Sequence, residues 1–287
     1  MSLTALSRLG ASDERLAAFA THYSRILRPK PADETALIAE IEGKLAHEGL
    51  GAMLPAYFQG VGSVAFHGLI RLAYAIEAKD DAEIAESLAA WKLDWVDVGR
   101  ERASRMFPHA LDAFTALRDD ERFPAGKVAG PSIVARLGVV VANPAFADYR
   151  HAIADVSLEE LAKLSLAIYL ATNDFTALHM VTACHSTRVV EQWSGENATM
   201  ELASALLAAY VTIGRPGFSL DDVHLESDVD WETISLAAIA SDDDHVSKFV
   251  FSSREEQRHY GWSGYQVAAA RKAGAVSSRA PRGIPSA

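Results

Sequence analysis

Three stretches carry chemically competent side chains at spacings that place them on one side of a helix. In Gly60–Glu77, read as a helix, His67, Arg71 and Tyr74 fall within about 60° of one another. Leu69, Ile70, Leu72 and Ile76 fill the remainder. In Phe175–Trp193, His179, Thr182 and Ser186 share a face, with His185 and Arg188 on the adjacent one. In Asp242–Glu256, His245 and Lys248 occupy a first helical turn, where positive charge is disfavoured and a neutral imidazole able to act as a base is favoured. A polar stripe in an apolar helix is costly to bury unless each group finds a partner. Such stripes therefore mark either satisfied structural networks, including three hydrogen-bonded core histidines, or the wall of a ligand pocket.

Imidazole titrates near neutral pH, so the chemistry these stripes suit is general acid–base catalysis. The rival chemistry is a metal centre in which His67, His179 and His245 meet at iron or zinc, with Asp243 or Asp244 adding a carboxylate. Within one helix, His179 and His185 are six residues apart and do not readily share a metal. No HExxH or comparable zinc spacing occurs.

The elements that position these residues read as helices throughout. Ser12 caps a helix with Leu16, Phe19 and Tyr23 at helical spacing, and Glu34 to Ala46 forms another. Gly60-x-Gly62-x-x-Ala65, with Asp80 and Asp81 about twenty residues on, formally matches a dinucleotide fingerprint. It lacks the preceding strand and βαβ context, because a helical pattern runs from Ser63 to Ala78. Trp91 and Trp95 fall on one face of the next helix and read as core. Pro131 suits a first turn, and the charged, glycine-containing stretch from Arg118 to Gly130 reads as a loop and an internal boundary. Ser157-Leu-Glu-Glu160 is a capping box, Asp174 and Asp230 are caps, and Ser241-Asp-Asp-Asp244 reads as another box. His22, His47, His109, His151 and His224 fall at polar positions or helix ends and read as surface residues.

No alternating strand pattern appears, and no repeat of fixed period. The fold class is all-α, about a dozen helices around a central pocket, in a single domain over 1–276 with a disordered tail over 277–287. The chain has 287 residues, 49% of them hydrophobic, enough to bury a large core. A net charge of −11 without a basic patch speaks against nucleic acid and anionic membrane as partners. The longest apolar run, Met200 to Ile213, contains Glu201 and is too short to span a bilayer. The single cysteine, Cys184, and the absence of a signal-like N-terminal segment lead to the expectation of a cytoplasmic protein.

The segments Phe66-His-Gly-Leu-Ile-Arg-Leu-Ala-Tyr-Ala-Ile-Glu77 with Ile84-Ala-Glu-Ser-Leu-Ala89, Leu178-His-Met-Val-Thr-Ala-Cys-His-Ser-Thr-Arg188, and Ser241-Asp-Asp-Asp-His-Val-Ser-Lys248 stand in this order. They resemble the signature segments of the questin oxidase-like proteins, over about residues 15 to 272. The resemblance implies an NADPH-dependent oxidoreductase that opens anthraquinone-like aromatic polyketides by Baeyer–Villiger-type oxygenation. It places His67, His179 and His245 on motif positions as catalytic residues. Arg71, Tyr74, Thr182, His185, Arg188 and Lys248 become candidates for binding substrate or cofactor. No flavin motif is present, so the substrate itself would activate oxygen: a histidine deprotonates a reduced phenol, and Arg71, Arg188 or Lys248 holds the developing oxyanion. The remaining alternatives are a histidine-ligated metal-dependent oxygenase or hydrolase, and a non-catalytic protein that shelters an aromatic small molecule.

Overall fold

Short polar side chains placed ahead of apolar runs start the helices. In the computed structural model, which describes residues 1–25, 27, 32–93, 95, 103 and 105–275, Ser12, Ser157, Asp174 and Asp230 each accept a hydrogen bond from a first-turn backbone N–H. These bonds satisfy donors that a helix leaves without an internal partner. In chain order the helices are α1 (Ser2–Leu9), α2 (Asp13–Ser24), α3 (Ala32–Glu48), α4 (Leu50–Tyr57), α5 (His67–Ala78), α6 (Asp81–Leu93) and α7 (Ala110–Arg118). They continue as α8 (Ile133–Ala142), α9 (Leu158–Thr172), α10 (Phe175–Ser194), α11 (Ala198–Thr212), α12 (Trp231–Ala240), α13 (Asp244–Tyr260) and α14 (Gly264–Ala273). The only β pairing among the described residues is an isolated bridge between Phe107 and Ile153, so the fold is all-α. No described helix is long and apolar enough to cross a membrane.

Several boundaries differ from the sequence reading for local reasons. The helix expected from Ser63 is broken: Ser63–Phe66 is a 3₁₀ turn, and Ala65 and Phe66 take left-handed φ values of 55° and 68° before α5 begins at His67. Non-glycine residues pay for that conformation, and burial of both side chains holds them in it. Pro131 precedes the cap, which is Ser132. α13 is capped by Asp243, which accepts from the His245 N–H, while Ser241 accepts from the Asp243 N–H one step earlier. Trp91 is buried as expected, but Trp95 lies beyond α6 and is partly exposed.

Contacts divide the chain into two compact units, one from Leu27 to Leu220 and the other from the N-terminal helices and the chain from Asp221 onward. In the first, α10 packs against α4, α5, α9 and α11, and its residues from Thr176 to Thr187 are all buried. Each Leu or Val removed from water there contributes about 1.5–3 kcal/mol. α5 also packs on α6, where a Cβ on Gly68 would run into the Trp91 ring. The position expected as an internal boundary is instead tied down. Arg215 donates to the carbonyls of Leu117, Arg118, Asp120, Phe123 and Pro124 at 2.7–3.0 Å. In the second unit, α13 packs against α1, α12 and α14. Arg15 of α2 donates to the carbonyls of Ile239 and Ser241 and to the Asp242 carboxylate. The expected disordered tail, 277–287, lies outside the described residues.

Arg215 is buried and each of its carbonyl partners loses a donor if it is truncated. Arg215→Met is therefore expected to lower the unfolding free energy by about 3–5 kcal/mol in urea denaturation. A change under about 0.5 kcal/mol would show that water replaces the guanidinium without cost.

Candidate functional site

In the first unit two motif histidines meet. His67 is the first residue of α5 and His179 lies in the buried middle of the first turns of α10. Their Nε2 atoms are 3.2 Å apart, with ring centroids at 4.8 Å and planes 89° apart. His179 Nδ1 lies 2.7 Å from the carbonyl of Phe175, one turn earlier. A carbonyl only accepts, so His179 Nδ1 carries the proton, and Nε2 of the neutral ring is an acceptor. His67 must then donate through Nε2, which makes Nδ1 the acceptor nitrogen of neutral His67. The Phe175 ring closes against His179 edge-on, centroids 4.6 Å apart.

The N-terminus of α10 that supplies this carbonyl is fixed by Asp174. Burial alone would push its carboxyl up, but the hydrogen bond and charge of Lys127, with the Thr176 N–H, hold it below the usual range.

The other stripe residues of this unit have separate engagements. Arg71 donates through Nε and Nη2 to Glu83 at 2.7 and 3.0 Å, and through Nη2 to Glu86 at 2.7 Å. It thus fastens α5 to α6 with its charge already met by carboxylates. Tyr74 is buried one turn farther along α5. The Thr182 hydroxyl donates to the carbonyls of Leu178 and His179, 3.2 Å from each, and so serves the helix backbone. Arg188 Nη2 approaches His185 Nδ1 at 3.5 Å, making that nitrogen the acceptor of buried His185.

The glycine fingerprint does not fit a dinucleotide. The Gly60 carbonyl accepts the Trp91 indole N–H at 2.8 Å, and a Cβ on Gly60 would lie 2.7 Å from the Trp95 ring. Its bare face is therefore filled by tryptophan, and Asp80 caps α6 by accepting the Glu83 N–H at 3.1 Å.

The second unit holds His245 and Lys248. His245 Nδ1 lies 2.9 Å from Asp244 and 3.3 Å from Asp243 carboxylate oxygens, and Lys248 Nζ donates to Asp244 at 2.6 Å. These carboxylates, and not only the helix dipole, face the His245 ring nitrogen. Lys272 pairs with Asp243 at 2.9 Å, and Tyr23 reaches Asp244 at 3.5 Å. Asp243, Asp244 and His245 are close enough to hold a cation. Their carboxylates already serve two lysines, so within this unit the cluster is an ion-pair network. Lys248 is likewise committed, rather than poised for an oxyanion.

Comparison with protein families matches residues 46–252 to the family described as questin oxidase-like. The chain belongs to the questin oxidase-like family. Membership indicates an oxidoreductase. No curated protein matches the chain. All three motif histidines, His67, His179 and His245, lie within the matched span.

Among residues outside these motifs, His151 is not a surface residue. It is half-buried, with Nε2 2.9 Å from Glu201. The partners are 50 residues apart, and no local pattern signals the pair. The role of Asp244 was also hidden, since an acid in a first helical turn already has a sufficient reason in the helix dipole.

Asp244 gives a pH signature. Burial alone would push its carboxyl up, but the hydrogen bond from His245 and the charge of Lys248 hold it well below the usual carboxylate range. A carboxyl lowered on folding stabilises fully above the unfolded value, about pH 4, and its contribution is lost as pH falls toward the folded value. Asp244→Asn is expected to be less stable than the parent at pH 7, with the difference shrinking below about pH 4. Parallel stability curves down to pH 2 in denaturant titrations would contradict this.

Proposed function

We propose that this questin oxidase-like chain is an NADPH-dependent oxygenase that inserts oxygen, in Baeyer–Villiger fashion, into an aromatic polyketide of anthraquinone type without bound flavin. One atom of dioxygen enters the substrate and the other leaves as water, with two electrons supplied by NADPH. The family supports the oxidoreductase class. The observation that carries the chemistry is the His67–His179 pair, half-buried at His67 and buried at His179.

A phenolate gives electrons to dioxygen far more readily than a phenol, so the reaction needs an acceptor for the phenolic proton. Neutral His67 takes it at Nδ1. Its Nε2–H then donates to the His179 lone pair, while the His179 Nδ1–H stays on the Phe175 carbonyl. The imidazolium is therefore met by an oriented acceptor, which matters most where the dielectric is low. Arg188 and Tyr74 are assigned to substrate oxygens. Arg71 is not, because Glu83 and Glu86 already hold it. His245 enters the proposal through its motif position.

The test is incubation of the purified chain with a panel of hydroxyanthraquinones, read by mass spectrometry and an oxygen electrode. A product one oxygen heavier is expected only when NADPH and air are both present. His67→Ala is expected to lower turnover by about 10²–10⁴-fold without a change in thermal unfolding. Ligand binding with no oxygen consumed would make the chain a carrier instead, and an unchanged rate in His67→Ala would remove the pair from the reaction.

A further inference from the structure

In the second unit a cleft of about 530 Å³ lies between α12 and α13, with the end of α1 beside it. One wall is apolar, formed by Trp231, Leu236 and Ile239 of α12 and Leu9 of α1. Leu236 is 61% exposed and Trp231 is half-buried, so apolar surface is open to a ligand there. The other wall carries Arg254 and Arg258, four residues apart on one face of α13. We propose that this cleft binds a small aromatic carboxylate, with its ring system on Trp231 and Leu236 and its carboxylate on the guanidinium groups of Arg254 and Arg258.

The cationic wall is short of anions. Arg254 Nη2 donates to the Arg8 carbonyl at 2.7 Å, while Arg254 Nε is buried with no hydrogen-bond partner among the described residues. Glu255 accepts from Arg258 Nη1 at 2.6 Å and stands 3.6 Å from Arg254 Nε, so one carboxylate answers two guanidinium groups. Burial and the charge of Arg258 both push Arg254 below its ordinary value, and an anion in the cleft opposes both effects. The carboxylate that lines the cleft itself, Glu232, is exposed in the first turn of α12, where the helix dipole offsets its charge. A guanidinium presents its donors in a plane that matches the two oxygens of a carboxylate, which a point charge does not. The indole of Trp231 offers a flat face to an aromatic ring. The volume falls in the range of small-molecule sites, about 300–1,000 Å³. Every residue of the cleft belongs to the second unit, so the proposal stands apart from the oxygenase reading.

The test is calorimetric titration of the full chain with 2-naphthoate, and with 2-naphthamide as an uncharged ligand of nearly the same shape. One naphthoate per chain is expected, with the amide bound at least about tenfold more weakly for want of charge-assisted hydrogen bonds. Arg254→Met and Leu236→Glu should each weaken naphthoate binding by at least about tenfold, the first by removing donors and the second by placing a like charge in the cleft. Arg271→Met, at an exposed position on α14 of the same unit, should leave binding unchanged. If Arg254→Met fails to fold by circular dichroism, Leu236→Glu decides, since that side chain is exposed. No naphthoate bound at millimolar concentration, equal binding of the amide, or binding indifferent to both substitutions overturns the site. A concentration-dependent dimer in sedimentation that Leu236→Glu abolishes would give this face to a second copy of the chain and equally overturn it.

Discussion

Facing nitrogen lone pairs repel when no proton lies between them, and burial on the His179 side leaves little water to take its place. That constraint governs the His67–His179 contact and most of what the first unit does around it. The pair is stable only if one nitrogen donates, and the direction is decided by the Phe175 carbonyl, which claims the far side of His179. The carbonyl is in place because α10 starts at Phe175, and α10 starts there because Asp174 caps it while paired with Lys127. A cap and an ion pair at the surface thus fix a tautomer inside.

The cationic side chains follow a different logic. Taking a charge out of water costs several kcal/mol unless it is met by partners, and three of the buried or half-buried cations here are met by carboxylates or carbonyls. Arg71 spends its charge on two glutamates, Lys248 on Asp244, and Arg215 on five carbonyls. These contacts hold helices and loops in place, and they leave less cationic charge to spend on a substrate. The imidazoles, neutral when buried, can be placed inside without that cost and keep a lone pair for chemistry.

Much of this was legible in the sequence, and what was not has a common cause. Helix starts at Ser12, Ser157, Asp174 and Asp230 follow from side chains that bond to backbone two or three residues on, a rule that operates within one turn. The polar stripes were visible by the same local periodicity. The fates of Arg71 and Arg215 were not, because their partners lie 12 to 15 and more than 90 residues away. The cap of α13 also falls two residues after Ser241, where Ser241 and Asp243 could each cap and the structure uses Asp243. The break before His67 rests on two left-handed residues, Ala65 and Phe66, that no propensity favours there. Only packing of their side chains holds them.

The orientation of the pair is open to direct observation in the full-length chain labelled with ¹⁵N-histidine, through long-range ¹H–¹⁵N correlations of the ring nitrogens. The account requires His179 to hold its proton on Nδ1, slowly exchanging, with Nε2 as the acceptor nitrogen. A His179 ring protonated on Nε2 alone would break the Phe175 anchor and contradict the account at its centre.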